Sequence, residues 1–512
     1  MLAADVGTTA CKVAAVGGSG RVLSRGAARY GAGAAAEPGG VVEQPPGEWL
    51  AAFRTAAAAC LAGLGPQPPV AALALSGMMQ NVTLVRGRAA LRPSILYSDT
   101  RAIEAAAAIE RQFGPQRLAA ETTNLKGPAS CLAKLLWLSE HEPAALGAAE
   151  QVFLGAHDFL SHLLCDSHAC DVVTLSTTGL LAPDGRSYCA DVLGELQLGA
   201  VAAMLPEIQR PEAMAGELRG DVAAELGLAP GTPVYLAPGD LGATAVGTGA
   251  PVHAYLGTSG WIARHGDATG LAGGGAAAEG LFRIRHPSGL GHLEAASMQT
   301  AGGNVEHTAR LLGLASPAEV SALAAEAAPG AGGLLYLPHL SGERSPFLDA
   351  QARAGWVGVS PATGRPEMAR SVLEGVAMHF RLLHRLVVGG GGAGEGPLPF
   401  CGGGSTSPVW TQILADCLGL PIQPLGDAAD VGARGAAAMA LQALGHWGDG
   451  AEAPRAFFAG GSAEAKIVEP GAAAAMMQEL AAAYEEIYPA LKAGTRVFDG
   501  PLRTADRDAS AP

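Results

Sequence analysis

Asp240 is the residue around which a chemistry can be built in this chain. It stands in Pro238-Gly239-Asp240-Leu241-Gly242, after an apolar run, Val234 to Leu236, that reads as a short buried strand. A carboxylate in a glycine-rich turn at the C-terminal end of a strand lies where open α/β sheets place their ligands. An Asp following Gly is also an ordinary turn residue. Two glycine–threonine turns far away in the chain favour the chemical reading: Asp5-Val6-Gly7-Thr8-Thr9 and Leu256-Gly257-Thr258-Ser259-Gly260. The backbone N–H groups of the first turn, with the hydroxyls of Thr8 and Thr9 and the ammonium of Lys12, would cradle a phosphate. Asp5 sits where a carboxylate can hold the Mg²⁺ that accompanies a nucleotide. Asp240 is therefore expected to take a proton from a substrate hydroxyl while the two turns hold a nucleotide.

The elements that must position these groups alternate as in an α/β protein. Residues 2–16 read as two strands joined by a tight turn, followed by an alanine-rich helix from Pro46 to Leu64. A strand from Val70 to Leu75 runs into Ser76-Gly77-Met78-Met79-Gln80-Asn81, a fair place for a substrate pocket. Further on, Asp99 and Arg101 in Ile95-Leu96-Tyr97-Ser98-Asp99-Thr100-Arg101 would either pair with each other or hydrogen-bond a polyhydroxylated ligand. Residues 102–143 are expected to be helical, with Trp137 as a packing anchor. His157, His162 and His168 show no spacing that aligns them with a carboxylate on one helical face, so they are expected at the surface.

After the hinge expected at Gly247 to Pro251, the second half repeats the logic of the first, with a strand, Val252 to Leu256, and a Gly-Thr-Ser turn. Residues 270–280 are of low complexity and expected to form a mobile loop. Ala301-Gly302-Gly303-Asn304 precedes a helix to Leu312, and paired glycines at a helix N-terminus suit an anion or a sugar hydroxyl. A strand from Leu334 to Leu340 leads to the loop Ser341-Gly342-Glu343-Arg344-Ser345-Pro346, expected to help lock two domains together. A helix is expected over 367–388. The strand Leu398 to Cys401 enters Gly402-Gly403-Gly404-Ser405-Thr406-Ser407 and a helix through Leu418, readable as an adenine site or as a flexible turn. Residues 432–443 read as a close-packing helix of small residues, and the polar tail beyond Phe498 as disordered.

A chain of 512 residues is too long for one core, so two large domains are expected. A formal charge of −14 argues against a nucleic-acid or anionic-membrane surface. The eight cysteines form no C-x-x-C pair and read as free thiols in a reducing compartment. No apolar run reaches membrane-spanning length, which makes the cytoplasm the expected location, or an organelle if a transit peptide precedes this chain.

Three longer motifs carry a resemblance. They are Ala354-Gly355-Trp356-Val357-Gly358-Val359 with Glu367-Met368 and Ser371-Val372-Leu373-Glu374; Lys134-Leu135-Leu136-Trp137-Leu138-Ser139-Glu140-His141; and Pro338-His339-Leu340-Ser341-Gly342-Glu343-Arg344-Ser345-Pro346. With the turns above, the chain resembles the FGGY family of carbohydrate kinases, most of all its xylulokinase branch. The resemblance implies an α/β fold of two ribonuclease-H-like, actin/hexokinase-type domains around an ATP and sugar cleft. It divides the chain into an N-terminal domain (1–248), a C-terminal nucleotide-side domain (249–495) and a tail (496–512).

The same resemblance implies Asp240 as catalytic base and Asp5 as the magnesium ligand. It assigns ATP to Gly7, Thr8, Thr9, Lys12, Gly257, Thr258, Ser259, Gly302, Gly403 and Ser407, and the sugar to Met79, Gln80, Tyr97, Asp99, Arg101, Asp240 and Leu241. Its partners would be ATP and a small sugar, most readily a pentulose, with neither nucleic acid nor membrane and with a homodimer left open. Another polyol or a sugar acid is the alternative acceptor, and a silent nucleotide-binding regulator the remaining one. Gln80, Asn81, Tyr97 and Leu241 depart from the xylulokinase pattern, which has His, Gly, Trp and Asn there, so the departures fall where sugars are sorted.

Overall fold

The computed structural model describes residues 1–30, 36–37, 40–65, 69–124, 127–210, 213–266, 279–288, 291–389, 396–448, 455–459 and 466–495. The expected loop at 270–280 falls outside these up to residue 278, as does the tail 496–512. Two six-stranded sheets organise the chain. In the first, Leu2–Val6 forms a hairpin with Ala10–Val16, closed by the Gly7 N–H donating to the Ala10 carbonyl (3.1 Å). Val22–Arg29 adds antiparallel to that hairpin. On its other side Leu2–Val6 pairs in parallel with Leu73–Gly77, which pairs in parallel with Pro233–Leu236. The second sheet repeats this order. Val252–Leu256 joins Gly260–Gly266 and His292–Met298 by antiparallel steps, and runs parallel to Leu398–Cys401 and then Ile422–Pro424. Three antiparallel strands followed by two parallel ones, twice over, is the ribonuclease-H-like pair expected.

The period of two along the central strands sends alternate residues to opposite faces. On one face of the first sheet Leu2, Ala4, Val6, Cys11 and Val13 meet Trp49 and Phe53 of the helix Gly47–Ala62 and Phe159 of the helix Ala156–Cys165. On the other face the strands present Ala3, Ala14, Ala72 and Ala74, too short to keep a helix at the usual distance. Ala433, Ala436, Ala437 and Ala440 of the helix Val431–Ala443 pack there. A helix from the last quarter of the chain thus covers the first lobe's sheet, so packing does not follow the chain division at residue 248. The second sheet buries Ala254, Ile262 and Met298 against Val372, Leu373, Val376 and Phe380 of the long helix Arg365–Val388.

Asp240 opens a helix, Asp240–Thr248, where a longer glycine-rich turn was expected. Its small residues let the helix Val431–Ala443 cross at backbone contact. A Cβ at Gly435 would fall on the carbonyl of Ala243, and one at Gly247 on the carbonyl of Val431. A third sheet, also of six strands, hangs from the first lobe, with Gln151–Gly155, Met79–Arg86, Ser94–Ile95 and Val41–Gln44 side by side. It carries Met79, Gln80 and the approach to Tyr97.

Other expectations need correction. Residues 102–143 are helical in pieces: Gly114, at φ 71°, and Pro115 break Ile103–Glu121, and a second helix starts at Cys131. The strand expected at 334–340 is only Leu335–Leu337. The three histidines are not a surface set: His157 and His162 are buried and His168 is half-buried, because the helix Ala156–Cys165 is packed on several sides. Among the described residues no helix is long and apolar enough to cross a membrane, and all eight cysteines are unpaired.

Gly→Ala inside a helix ordinarily stabilises, by up to about 1 kcal/mol. At Gly435 the opposite sign is expected, because the added methyl meets backbone that cannot step aside. Gly435→Ala should lower unfolding stability by about 1–3 kcal/mol, read as a lower urea midpoint; an unchanged or raised midpoint would mean that the helix crossing is not tight.

Candidate active site

A cavity of about 560 Å³ opens between the two sheets. All ten residues assigned to ATP from the sequence line it, together with Asp5 and Asp240. The two hairpin turns face each other across it because each follows the first strand of its own sheet. The second turn is stitched to the helix Gly302–Leu311, with the N–H groups of Ala301 and Gly303 donating to the Thr258 carbonyl (2.8 and 3.1 Å) and that of Gly302 to the Gly257 carbonyl (2.9 Å). At the far end, Gly402 (φ 87°) leaves no room for a Cβ against the carbonyl of Leu256, whereas the space above Gly403 is open. The Ser407 hydroxyl caps the helix Pro408–Leu418 by accepting from the Trp410 N–H (3.3 Å), and it donates to Ser321 (3.2 Å).

Asp5 lies opposite Lys12 in the hairpin register, so the two side chains share a face of the sheet. Gly432 brings bare backbone to that carboxyl: a Cβ there would stand 3.7 Å from both Asp5 Oδ2 and Thr244 Oγ1. Asp5 Oδ1 is buried without a hydrogen-bond partner. Burial pushes the Asp5 pKa up, Lys12 and His157 oppose this, and Asp430 adds to it. Asp240 starts its helix, and its Oδ1 accepts the Leu241 N–H (2.8 Å). Burial, reinforced by Asp5, pushes its carboxyl up to about 7, against the Leu241 N–H, His157 and Arg344. Two carboxyls in one cleft, one with an oxygen lacking any donor, form a site suited to a cation and a proton acceptor.

The sugar-side residues divide. Tyr97 reaches the first turn, its hydroxyl 3.2 Å from Thr8 Oγ1. Gln80, at φ 62°, donates from Nε2 to the Thr177 carbonyl (2.5 Å), and its Oε1 faces the Arg344 guanidinium at 3.4 Å. Met79 packs against the apolar cluster between the lobes. Asp99 and Arg101 follow the pairing alternative: the Asp99 carboxylate accepts the Val42 N–H (2.6 Å) and Arg101, and the Arg101 guanidinium also pairs with Glu43 and lies over the Trp137 ring. The Leu241 side chain belongs to that same apolar cluster, with Val173, Trp261, Phe282 and Ile284.

Sequence reasoning missed Arg344 as a site residue. Its guanidinium comes from the second lobe, sits 5.5 Å over the Tyr97 ring and keeps a buried Nε without a partner. It also missed the Tyr255–Trp261 stack (3.9 Å) in the cavity wall and the fully buried Lys134, which donates to the carbonyls of Gln80 (3.0 Å) and Leu96 (2.7 Å). Burial lowers Lys134 to about 8. Only the motif context of Arg344 and Lys134 signalled them.

Behind Arg344 the Glu343 carboxylate takes donors on both oxygens. They are the N–H groups of Gln299 (2.8 Å) and Arg344 (2.9 Å) on Oε1, and His339 (3.0 Å) on Oε2, from which His379 Nε2 lies 3.4 Å away. Although His339, Glu343 and His379 are spaced like metal ligands, His379 also bonds the Ser345 carbonyl (2.7 Å). The hydrogen bonds alone account for the cluster, which anchors the loop that presents Arg344.

Family models for the N-terminal and C-terminal domains of the FGGY family of carbohydrate kinases match residues 1–247 and 277–444. The chain belongs to the FGGY family of carbohydrate kinases. It is similar to the xylulose kinase of Klebsiella pneumoniae, 31% identical over 417 residues (78% of this chain and 82% of that protein). It is likewise similar to the xylulose kinase of Escherichia coli K12, 31% identical over 386 residues (74% and 76%). Among solved structures, the xylulose kinase from Rhodospirillum rubrum superposes with a TM-score of 0.75 at 26% identity, covering 97% of this chain and 99% of that one. The FGGY chain is thus a sugar kinase with the two-lobed actin/hexokinase-type architecture.

Because burial raises the Asp240 pKa above its unfolded value, the folded protein holds a proton between the ordinary carboxylate range and about 7 that the unfolded chain has lost. Ionising Asp240 therefore costs stability as pH rises through that window. Asp240→Asn should melt about 2–4 °C above wild type at pH 8, and together with it at pH 4, in scans without ligand. An Asn variant that melts lower at pH 8 would contradict the raised pKa.

Proposed function

We propose that this carbohydrate kinase moves the γ-phosphoryl group of ATP to a hydroxyl of a pentulose, D-xylulose or D-ribulose. The observation that carries the reading is the meeting of Asp240 and both glycine–threonine turns in one cavity, whose far wall is the open backbone at Gly403. Relatives named xylulose kinase at 31% identity support the pentulose. Eight unpaired cysteines fit a reducing, cytoplasmic setting.

Each group then has a task. The turns at Gly7–Thr9 and Gly257–Ser259, with Lys12, bind the triphosphate and offset its charge. Gly403 and Ser407 bound the adenosine end. Gln80, Tyr97, Met79 and Arg344 orient the sugar so that one hydroxyl approaches Asp240. A bond forms between the sugar oxygen and the γ-phosphorus as the bond from that phosphorus to the β–γ bridging oxygen breaks. The hydroxyl proton passes to Asp240, and ADP leaves. Asp5, with its unpartnered buried oxygen, would hold Mg²⁺, which when bound neutralises phosphate charge. The lobes exclude water, which would otherwise accept the phosphoryl group.

A second reading, a sugar acid as acceptor, is favoured by one observation. Among the described residues the Arg344 guanidinium has no carboxylate within ion-pair distance, and a substrate carboxylate would supply one.

ADP release measured over D-xylulose, D-ribulose, polyols and aldonic acids separates the readings: turnover is expected with a pentulose. Turnover confined to aldonates would replace that reading with the second, and ATP binding without turnover on any sugar would reject both. Asp240→Asn should lower kcat by about 10²–10⁴-fold with ATP affinity unchanged; a matching fall in ATP binding would remove Asp240 as the base.

A further inference from the structure

The segment that presents Asp240 is held from two sides. Ser76 Oγ donates to the Pro238 carbonyl (2.7 Å). On the other side, Asp171 Oδ1 accepts the Gly239 N–H (3.4 Å) and the Thr174 N–H (2.9 Å), the latter capping the short helix Val172–Leu175. The second oxygen of Asp171 is bonded to His157 Nε2 (2.9 Å). His157 and Asp171 are fully buried, and neither belongs to the groups assigned to ATP or sugar. The imidazole is wedged beside Gly155, where a Cβ would lie 2.8 Å from its Cε1. Its Nδ1 is buried without a partner, so the ring's one hydrogen bond is the one to Asp171, and Nε2 carries a proton in either charge state of the ring.

We infer that His157 and Asp171 form a positioning dyad: His157 fixes the Asp171 carboxylate, which holds the Gly239 amide and so aims the adjoining Asp240 at the sugar hydroxyl. The carboxyls that face His157 are Asp171, Asp158, Asp240 and Asp5, and although burial pulls the ring's pKa down, Asp171, Asp158 and Asp240 outweigh it and raise it. Asp158 itself is engaged by the N–H groups of Leu154, Gly155 and Phe159, which leaves Asp171 as the partner that links His157 to the site. The dyad acts through Asp240 and touches neither substrate.

This inference rests on Asp240 being the base, and the test keeps the two apart. His157→Leu, which removes the donor, should lower kcat by about tenfold or more while the KM values for ATP and sugar stay within about twofold. His157→Gln, whose amide can still donate to Asp171, should recover most of that loss. In an Asp240→Asn background, adding His157→Leu should change the residual turnover by less than about twofold, since the aimed group is already gone. Full additivity, or a loss that appears in KM instead of kcat, would overturn the dyad. If His157→Leu does not fold, His157→Gln in the two backgrounds decides alone: any kcat loss it causes must vanish beside Asp240→Asn, and an undiminished loss there rejects the inference. An Asp240→Asn enzyme with wild-type turnover would instead reject the base assignment itself.

Discussion

Two carboxyls in one cleft, each raised by burial and Asp240 raised further by Asp5, set the terms for the rest of this molecule. Neither would be retained in a site built for stability alone, because a buried charge without a full set of donors is costly. Around them the chain gathers partial compensation: Lys12 across the hairpin from Asp5, the helix N-terminus and the Leu241 N–H at Asp240, and the Arg344 guanidinium from the opposite lobe. What remains uncompensated is the capacity to take a cation at one carboxyl and a proton at the other. Phosphoryl transfer needs these two services, since positioning and charge neutralisation dominate it.

Holding the carboxyls in the same cleft depends on how closely two helices approach. The helix that begins at Asp240 crosses the helix Val431–Ala443 at backbone contact, and the latter lies on an alanine-faced sheet whose strand Leu2–Val6 carries Asp5. A larger residue at Gly247 or Gly435 would push these two helices apart. The small residues at these positions are a distance constraint.

Much of the cavity lining was legible because glycine–threonine turns are local. Gly7, Thr8, Gly257 and Thr258 sit within a few residues of their strands, so strand–turn pattern and residue type sufficed to bring them to one cavity. The sugar side was less legible because it is assembled from afar. Asp99 and Arg101 have the residue types of ligand contacts, yet Val42 and Glu43, almost sixty residues earlier, absorb them. His157 offered no usable spacing because its carboxylate comes from Asp171, on a separate element. The loop of Arg344 was read as a lock between domains, and Arg344 does reach across, to Gln80 and Tyr97; which residues it meets follows only from where the third sheet hangs.

By itself the sequence determined the duplicated α/β plan, the catalytic family and the turns that line the central cavity, since these rest on short-range strand, turn and motif chemistry. Tertiary structure alone decided which polar residues are spent on one another and which stay free to meet a sugar. Hydrogen-bond partners of a buried side chain are set by packing between distant segments, and no spacing along the chain encodes them.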